Sequence, residues 1–399
     1  MRRLLLLSLM LLAVAAPAAA RPLILIGIDG FRADYLARGL TPNLARLAEA
    51  GATAEGGMRP SYPTVTFPNF YTLATGLHPD HHGLVYNTMT DASLPGRTFR
   101  LSDRAEVMDR VWYDAGEPIW VTAERAGIRT ATMFWPGSEA PIGGVRPTYW
   151  LPFEQSLTSL ARVNILLGWL SLPPEERPRF ATLYFDIVDT RGHWNGPGSQ
   201  ELEAALVEVD TAVGRLLEGL AARGIEADFV VVADHGMAEV SGERIVWLDD
   251  LVPATAITLV GWGAFAGLDP QPEQVAEVET ALLGEHPHMS CWRKGEVPER
   301  LAFGSHPRIP AIICMAEVGW TIGTRGRTDP MRVTGGAHGY DNAAPEMRAL
   351  FIASGPSFAS GVRLTDVDSV DVQPLLGRLL GIDVPAGDGR LADTAPALR

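Results

Sequence analysis

The stretch that decides the fold is Leu23-Ile24-Leu25-Ile26-Gly27-Ile28-Asp29, a run of apolar and small residues followed by one acid. A continuous apolar run of this length is typical of a strand that is buried on both faces of a parallel sheet. The acid that follows the run is Asp29, and we therefore predict that it lies at the carboxyl end of that strand. This is the edge at which open α/β sheets bind their ligands.

The pattern of a strand followed by a helix repeats along the chain. Helices are predicted at residues 41–51, 199–223 and 370–380, and strands at residues 182–188, 229–233 and 349–353. Alternation of this kind predicts an α/β fold with a doubly wound, mostly parallel sheet and helices on both faces. Residues of about 240–335 break the pattern and are rich in Pro and Gly. We therefore predict an insertion or small subdomain there.

The N-terminus has the layout of a secretory signal. Arg2 and Arg3 precede an apolar run that ends in small residues near Ala20, as in cleavable signal peptides. We expect residues 1–20 to be removed, residues 21–399 to form the mature domain, and the protein to be secreted or periplasmic. No later segment has the roughly 20 apolar residues of a membrane-spanning helix. The formal net charge of −14 argues against nucleic-acid polymers as partners.

The chain has two cysteines, Cys291 and Cys314. An oxidising compartment favours a disulfide between them. Two buried free thiols fit the sequence equally well, because the sequence does not give the distance between the Cα atoms. Both alternatives stay open at this point.

Acids, histidines and hydroxyls occur in six short clusters. The clusters are Ile28-Asp29-Gly30, Pro63-Thr64-Val65-Thr66-Phe67-Pro68-Asn69, Tyr86-Asn87, Asp189-Thr190-Arg191-Gly192-His193, Ala233-Asp234-His235-Gly236 and Ala337-His338-Gly339-Tyr340. Asp29 and Asp234 each come after a buried-strand pattern, so we expect them to meet at one edge of the sheet. Carboxylate and imidazole ligands without a thiolate suit a catalytic zinc site.

The cluster at residues 189–193 has two interpretations. Asp189 and His193 are four residues apart, which is the spacing of neighbours on one face of a helix. Gly192, Gly196 and Pro197 argue against a helix. We therefore predict a loop that folds a carboxylate and an imidazole onto one ion.

In their order along the chain and in their local sequences, the six clusters resemble the motifs of the nucleotide pyrophosphatase/phosphodiesterase branch of the alkaline phosphatase superfamily. The resemblance covers residues of about 23–360 and implies an alkaline phosphatase-like fold with two Zn²⁺ ions. The implied ligands are Asp29, Thr66, Asp234 and His235 for the first zinc, and Asp189, His193 and His338 for the second.

The resemblance also assigns the reacting groups. Thr66 matches the family's nucleophile, although Thr64 and Ser61 are competitors by residue type. A threonine hydroxyl needs a base or a metal before it attacks. Asn87 matches the asparagine whose amide contacts a nonbridging phosphoryl oxygen.

Two aromatic residues match positions that flank a nucleobase in the family, namely Phe67 and Tyr184. Because Tyr184 lies in an apolar strand, core packing is the alternative for it. The chain departs from the family in one place: the family often has Glu-x-Pro-Asp before Gly-His, and here residues 186–189 are Asp-Ile-Val-Asp. The metal ligand is kept, but the residues that shape the adjacent wall differ.

The resemblance implies a secreted two-zinc phosphodiesterase that cleaves nucleotide phosphodiester or pyrophosphate bonds through a threonyl intermediate and releases nucleoside 5′-monophosphates. Hydrolysis of choline or lipid headgroup diesters, or of phosphonates, is an alternative with the same metal shell. A monoesterase is disfavoured because no Arg lies between Ser61 and Leu77, and a sulfatase because the same segment around Thr66 contains no Cys/Ser-x-Pro-x-Arg run. A metal-stabilised binding module would not require Thr66 or Asn87.

Overall fold

The computed structural model describes residues 21–399, and the predicted signal segment, residues 1–20, lies outside them. The described strands are β1 Leu23–Ile28, β2 Ala52–Ala54, β3 Thr88–Thr90, β4 Thr98–Arg100, β5 Thr130–Met133, β6 Tyr149–Leu151, β7 Phe180–Phe185, β8 Asp228–Val232, β9 Ala238–Glu239, β10 Ile245–Trp247, β11 Ile257–Gly261, β12 Phe265–Pro270, β13 Gly284–His286, β14 Met289–Arg293, β15 Ile312–Ala316, β16 Thr321–Gly323, β17 Gly336–Ala337, β18 Phe351–Ser354 and β19 Val362–Leu364. The described α-helices are α1 Pro42–Ala50, α2 Thr66–Thr75, α3 Pro79–His82, α4 Arg104–Val107, α5 Ile119–Arg125, α6 Ser159–Leu170, α7 Ile187–Asn195, α8 Gln200–Ala221, α9 Val275–Leu282, α10 Val372–Leu380 and α11 Leu391–Thr394. Within these residues no helix has the length and apolar character needed to cross a membrane.

The central sheet has eight strands in the order β19-β2-β18-β8-β1-β7-β5-β6. The first strand, β1, lies inside the sheet and pairs in parallel with both β7 and β8. The parallel arrangement continues through β5 and β6, whereas β18 runs antiparallel to β8 and β2. Every residue of β1 is buried, as its continuous apolar run predicts.

The helices pack in two groups. In one group α1, α6 and α7 contact α8, and in the other α2, α5 and α10 contact one another. A strand such as β1, which is buried on both faces, needs helices on both sides of the sheet. The predicted doubly wound, mostly parallel α/β fold is confirmed.

A second, smaller sheet lies within residues 257–316 and has the strand order β11-β12-β15-β14-β13. All its pairs are antiparallel. Cys291 in β14 lies directly opposite Cys314 in β15, and the two form a disulfide. The strand register therefore decides the question that the sequence left open. This sheet falls inside the predicted insertion at residues 240–335, whose boundaries stay a prediction.

The prediction of a loop at residues 189–193 is wrong, because these residues lie in α7. Gly192 is buried inside the helix, where a β-carbon would lie 2.8 Å from Met237 Cε. This glycine is therefore needed for close packing, and it does not interrupt the helix. Gly196 ends the helix with a φ of 92°, a conformation that favours glycine.

Candidate active site

Three neighbouring parallel strands end at the same edge of the sheet and place the predicted ligands there. Asp29 directly follows β1, and Asp234 and His235 come shortly after β8. The third strand, β7, leads into α7, which carries Asp189 and His193. The acids lie where ligand sites of open α/β sheets are found.

The first cluster consists of Asp29, Asp234 and His235, and all three are buried. His235 Nε2 lies 2.9 Å from Asp234 Oδ2 and 3.6 Å from Asp29 Oδ1. Thr66 is the first residue of α2, and its Oγ1 lies 3.4 Å from the same nitrogen. The partial positive charge at a helix N-terminus favours an anionic group at this position.

The competing hydroxyls are placed differently. Ser61 and Thr64 are 1% and 0% exposed. Thr64 Oγ1 donates to Tyr340 O and accepts from Gly339 N–H. Of the three hydroxyls, the one on Thr66 lines the cavity beside the acids.

The second cluster consists of Asp189, His193 and His338. Asp189 Oδ1 lies 3.4 Å from His193 Nε2 and 3.5 Å from His338 Nε2, and the two nitrogens are 3.0 Å apart. His338 directly follows β17. Its ring stacks on that of His235 with 3.6 Å between the ring centres. The two clusters are therefore adjacent.

Backbone carbonyls orient all three histidines. The Nδ1 partners are Gly336 O for His193 at 2.8 Å, Gly236 O for His235 at 2.9 Å, and Thr64 O for His338 at 2.8 Å. Because a carbonyl can only accept, Nδ1 carries the proton and Nε2 presents its lone pair to the cluster. In the second cluster two such lone pairs face each other, so they repel unless a cation or a proton lies between them.

The aspartates are held in a similar way. Tyr184 donates its hydroxyl to Asp29 Oδ2 at 2.6 Å, and Gly30 N–H donates to Asp234 Oδ1 at 3.1 Å. Among the described residues, Asp29 Oδ1, Asp189 Oδ1 and Asp234 Oδ2 are buried without a hydrogen-bond partner. Such oxygens are costly to bury. The donor set therefore fits bound cations, one at each cluster.

The electrostatics of the two clusters agree with this interpretation. Burial raises the pKa of Asp29 well above its ordinary value, and Asp234 raises it further. Burial also raises the pKa of Asp189, and burial followed by the charge of His235 lowers the pKa of His338 well below its ordinary value. A cation would favour ionised acids and neutral imidazoles, which are the forms that bind metals.

A cavity of about 580 Å³ opens beside both clusters. Its lining includes the predicted residues Asp29, Thr66, Phe67, Asn87, Tyr184, Asp189, His193 and His338. A larger depression of about 890 Å³ lies elsewhere and is lined by none of them. The chemistry is therefore assigned to the smaller cavity.

The side chain of Asn87 has a fixed orientation. Its Oδ1 accepts a hydrogen bond from Phe67 N–H at 2.9 Å. The amide NH₂ is consequently left as the group that can donate into the cavity. This is the orientation needed to bind an anionic oxygen.

The aromatic residues of the cavity differ in exposure. Phe67 is 9% exposed, Tyr184 is 6% exposed and Phe153 is 39% exposed. The ring of Tyr184 packs edge-on against Phe70. Phe153 was not identified from the sequence, because it follows a short strand and belongs to none of the six clusters. It is the most exposed aromatic residue of the cavity lining.

Comparison with known proteins agrees with the geometry. Residues 23–341 match the family model described as Type I phosphodiesterase / nucleotide pyrophosphatase. The chain belongs to this family. It is 37% identical over 394 residues to an uncharacterized pyrophosphatase/phosphodiesterase of Schizosaccharomyces pombe, covering 94% of this chain and 80% of the relative.

Other phosphodiesterases of the family are similarly close. The identity is 34% over 375 residues to Bis(5'-adenosyl)-triphosphatase enpp4 of Xenopus laevis, covering 93% of this chain and 80% of the relative. It is 35% over 378 residues to ectonucleotide pyrophosphatase/phosphodiesterase family member 1 of Rattus norvegicus, covering 92% of this chain. This chain spans 41% of the rat protein.

Solved structures of the family superpose closely. Human ectonucleotide pyrophosphatase/phosphodiesterase 5 has a TM-score of 0.89 and 31% identity, with 95% of this chain and 100% of the human chain covered. The murine counterpart, in an inactive threonine-to-alanine form in complex with AMP, has a TM-score of 0.89 and 30% identity. The chain is thus a metal-dependent hydrolase of phosphoric ester or anhydride bonds with an alkaline phosphatase-like fold, as predicted.

Proposed function

We propose that this protein is an exported two-zinc phosphodiesterase and nucleotide pyrophosphatase that releases nucleoside 5′-monophosphates. The observation that carries the proposal is the position of Thr66 Oγ1, 3.4 Å from His235 Nε2 and in the cavity that adjoins both clusters. Nucleotide substrates are supported by the relative named Bis(5'-adenosyl)-triphosphatase and by the AMP complex of the murine structure. Export is supported by the disulfide between Cys291 and Cys314, because disulfides persist in oxidising compartments.

The spacing of the ligand atoms supports zinc. In a tetrahedral site with bonds of roughly 2.0–2.1 Å, neighbouring ligand atoms are roughly 3.3 Å apart. Asp234 Oδ2 and Asp29 Oδ1 lie 2.9 and 3.6 Å from His235 Nε2. The ligand atoms of the second cluster are 3.0 to 3.5 Å apart. When bound, two zinc ions supply Lewis acid chemistry at the attacking and leaving oxygens.

The residues of this chain carry the two displacement steps. Thr66 Oγ1 releases its proton to solvent and bonds to phosphorus while the bond to the leaving group breaks, and the leaving group departs with the bonding electron pair. The Asn87 amide donates to a nonbridging oxygen, whose charge increases as the bonds change. Water then attacks phosphorus and releases a proton. The bond to Thr66 Oγ1 breaks with its electron pair on that oxygen, which takes up a proton and restores the hydroxyl as the nucleoside 5′-monophosphate leaves.

Stacking provides affinity for the base without specifying it. We assign the stacking surface to Phe67, as expected from the sequence, together with Phe153, because Phe153 is exposed within the same cavity. Tyr184 also lines the cavity, and its hydroxyl donates to Asp29. This divides the predicted base clamp between three aromatic residues.

The test compares Thr66→Ala with Thr66→Ser on a p-nitrophenyl ester of a nucleoside 5′-monophosphate. The alanine variant should lose several orders of magnitude in kcat, and the serine variant should keep part of the rate because its hydroxyl can still attack. Mass spectrometry of rapidly quenched protein should detect a nucleoside 5′-phosphoryl adduct on the wild type. Ser61→Ala removes a neighbouring buried hydroxyl and serves as the control.

Two outcomes contradict the proposal. Near wild-type turnover by Thr66→Ala, with zinc content verified, excludes Thr66 as the nucleophile. A higher kcat/KM for a phosphocholine ester or a phosphonate than for the nucleotide ester excludes nucleotides as the preferred substrates.

A further inference from the structure

A buried ion pair lies in the wall of the cavity. Arg162 in α6 is 3% exposed, and its Nη1 lies 2.7 Å from Asp186 Oδ1. The same guanidinium donates to Tyr184 O at 3.0 Å and, through Nε, to Leu157 O at 2.9 Å. A buried guanidinium needs such partners to offset its desolvation. Its position therefore holds Asp186 in one place.

Asp186 lines the cavity that is also lined by Thr66 and by the aromatic residue Phe153. It precedes Asp189 by about one turn of α7. The Arg162 guanidinium that holds it lies 5.1 Å from the ring centre of Phe134 and 5.7 Å from that of Phe153.

The residues that the structure describes leave part of the hydrogen-bonding capacity of the Asp186 carboxylate unused. Arg162 contacts Oδ1, and Gln155 Nε2 donates to Oδ2 at 3.2 Å. An ionised carboxylate offers about four acceptor positions and no donor. Its side chain is 15% exposed. A substrate group that binds there must therefore donate a hydrogen bond.

We propose that Asp186, positioned by Arg162, accepts hydrogen bonds from the ribose hydroxyls of the substrate and selects ribonucleotides over dideoxyribonucleotides. This inference rests on the proposed function. With the phosphoryl group at Thr66 and the base against Phe153, we place the sugar between them, in the part of the cavity where the Asp186 carboxylate is available. Neighbouring ribose hydroxyls provide the required donors, and an acidic residue binds ribose in the same way in dinucleotide-binding folds.

The expected discrimination follows from the charge on Asp186. A substrate without the hydroxyls would displace water from a carboxylate and give no donor in return. Hydrogen bonds to charged groups of this kind correspond to roughly 10- to 100-fold in an equilibrium or rate ratio. We expect kcat/KM to fall by this factor when both hydroxyls are absent.

The experiment uses the zinc-loaded full chain and a matched series of esters with one leaving group. The series contains the p-nitrophenyl esters of adenosine, 2′-deoxyadenosine, 3′-deoxyadenosine and 2′,3′-dideoxyadenosine 5′-monophosphate. The wild type should prefer the ribose ester to the dideoxy ester by roughly 10- to 100-fold. A ratio near one overturns the inference. This arm needs no variant and is independent of any effect on folding.

The second arm uses Asp186→Asn and the double variant Asp186→Asn/Arg162→Met, which removes the buried charge together with its partner. The ratio of ribose to dideoxy ester should fall in both variants, because the neutral amide oxygen of Asn accepts a weaker hydrogen bond than a carboxylate does. If the ion pair is merely structural, all esters lose activity equally and the ratio stays at its wild-type value, which contradicts the inference.

The two proposals fail in distinguishable ways. If the wild type cleaves bis(p-nitrophenyl) phosphate but none of the nucleotide esters, the proposed nucleotide function fails, and the inference fails with it. If all nucleotide esters are cleaved at equal rates, the proposed function stands and the inference alone is contradicted.

Discussion

Replacing Tyr184 with Phe removes one oxygen atom and keeps the aromatic ring. In the wild type this hydroxyl donates to Asp29 Oδ2 at 2.6 Å, and Asp29 Oδ1 is left without a hydrogen-bond partner among the described residues. The hydroxyl stabilises the ionised form of Asp29, which is the form that binds a cation. We therefore expect Tyr184→Phe to weaken zinc binding at the first cluster.

The magnitude follows from the type of hydrogen bond. A buried hydrogen bond to a charged group contributes about 1.5–3 kcal/mol. At about 1.4 kcal/mol for each factor of ten, this corresponds to roughly 10- to 100-fold in affinity. The same range is typical when a residue that orients a metal ligand is replaced. Loss of ring packing should be small, because the phenyl ring of the variant fills the same space.

The assay is competition for zinc between the metal-free protein and a chromophoric chelator at fixed pH. Of the two zinc ions that we propose, the one at the first cluster should bind more weakly in Tyr184→Phe, and the other should keep its wild-type affinity. Tyr62→Phe is a matched control, because Tyr62 is fully buried and its hydroxyl has no partner among residues 21–399. If zinc affinity in Tyr184→Phe stays within twofold of the wild type, the hydroxyl does not hold Asp29 for metal binding.

Other perturbations test the site and the second sheet. Asn87→Ala should lower kcat by roughly 10²- to 10³-fold because the amide donor is lost. Asn87→Asp should lower kcat further because a carboxylate repels the phosphoryl oxygen. An unchanged steady-state kcat in both variants would refute the role of Asn87 as a donor to that oxygen. Chelation of the metals should lower the thermal unfolding midpoint and zinc should restore it, because ligands that bind the folded state stabilise it. Scanning calorimetry measures the midpoint, and elemental analysis verifies the metal content. An equal midpoint in verified metal-free protein contradicts the proposed two-cation site. The double variant Cys291→Ala/Cys314→Ala opens a loop with a sequence separation of 23 residues and should lose about 3 kcal/mol of unfolding free energy; urea titration would show an unshifted midpoint if the disulfide contributes nothing.

Local sequence determined the parts of the site that follow directly from buried strands. The apolar run of β1 made its burial on both faces predictable, and Asp29 therefore had to lie at the carboxyl edge. The same argument placed Asp234 and His235 after β8. In each case the position of the side chain depends on residues next to it in the chain, and their pattern is visible in the sequence.

The error at α7 shows where local propensity is outweighed. Gly192 disfavours a helix by about 1 kcal/mol on intrinsic preference, but in the fold its lack of a side chain gives room to Met237. The four-residue spacing of Asp189 and His193 indicated the helix, and the glycine misled the prediction. Tertiary packing reverses the sign of the glycine's contribution.

Tertiary structure alone decided the contacts between distant residues. The register of β14 and β15 brought Cys291 and Cys314 opposite each other, which spacing along the chain does not specify. The sequence also gave no sign that the Tyr184 hydroxyl reaches Asp29, or that Arg162 is buried against Asp186. The sequence by itself thus determined the fold class and which residue types carry the chemistry, since both follow from local patterns of burial and motif. The orientation of each ligand and the shape of the cavity depend on side chains that are far apart in the chain and meet only once the sheet and helices have packed.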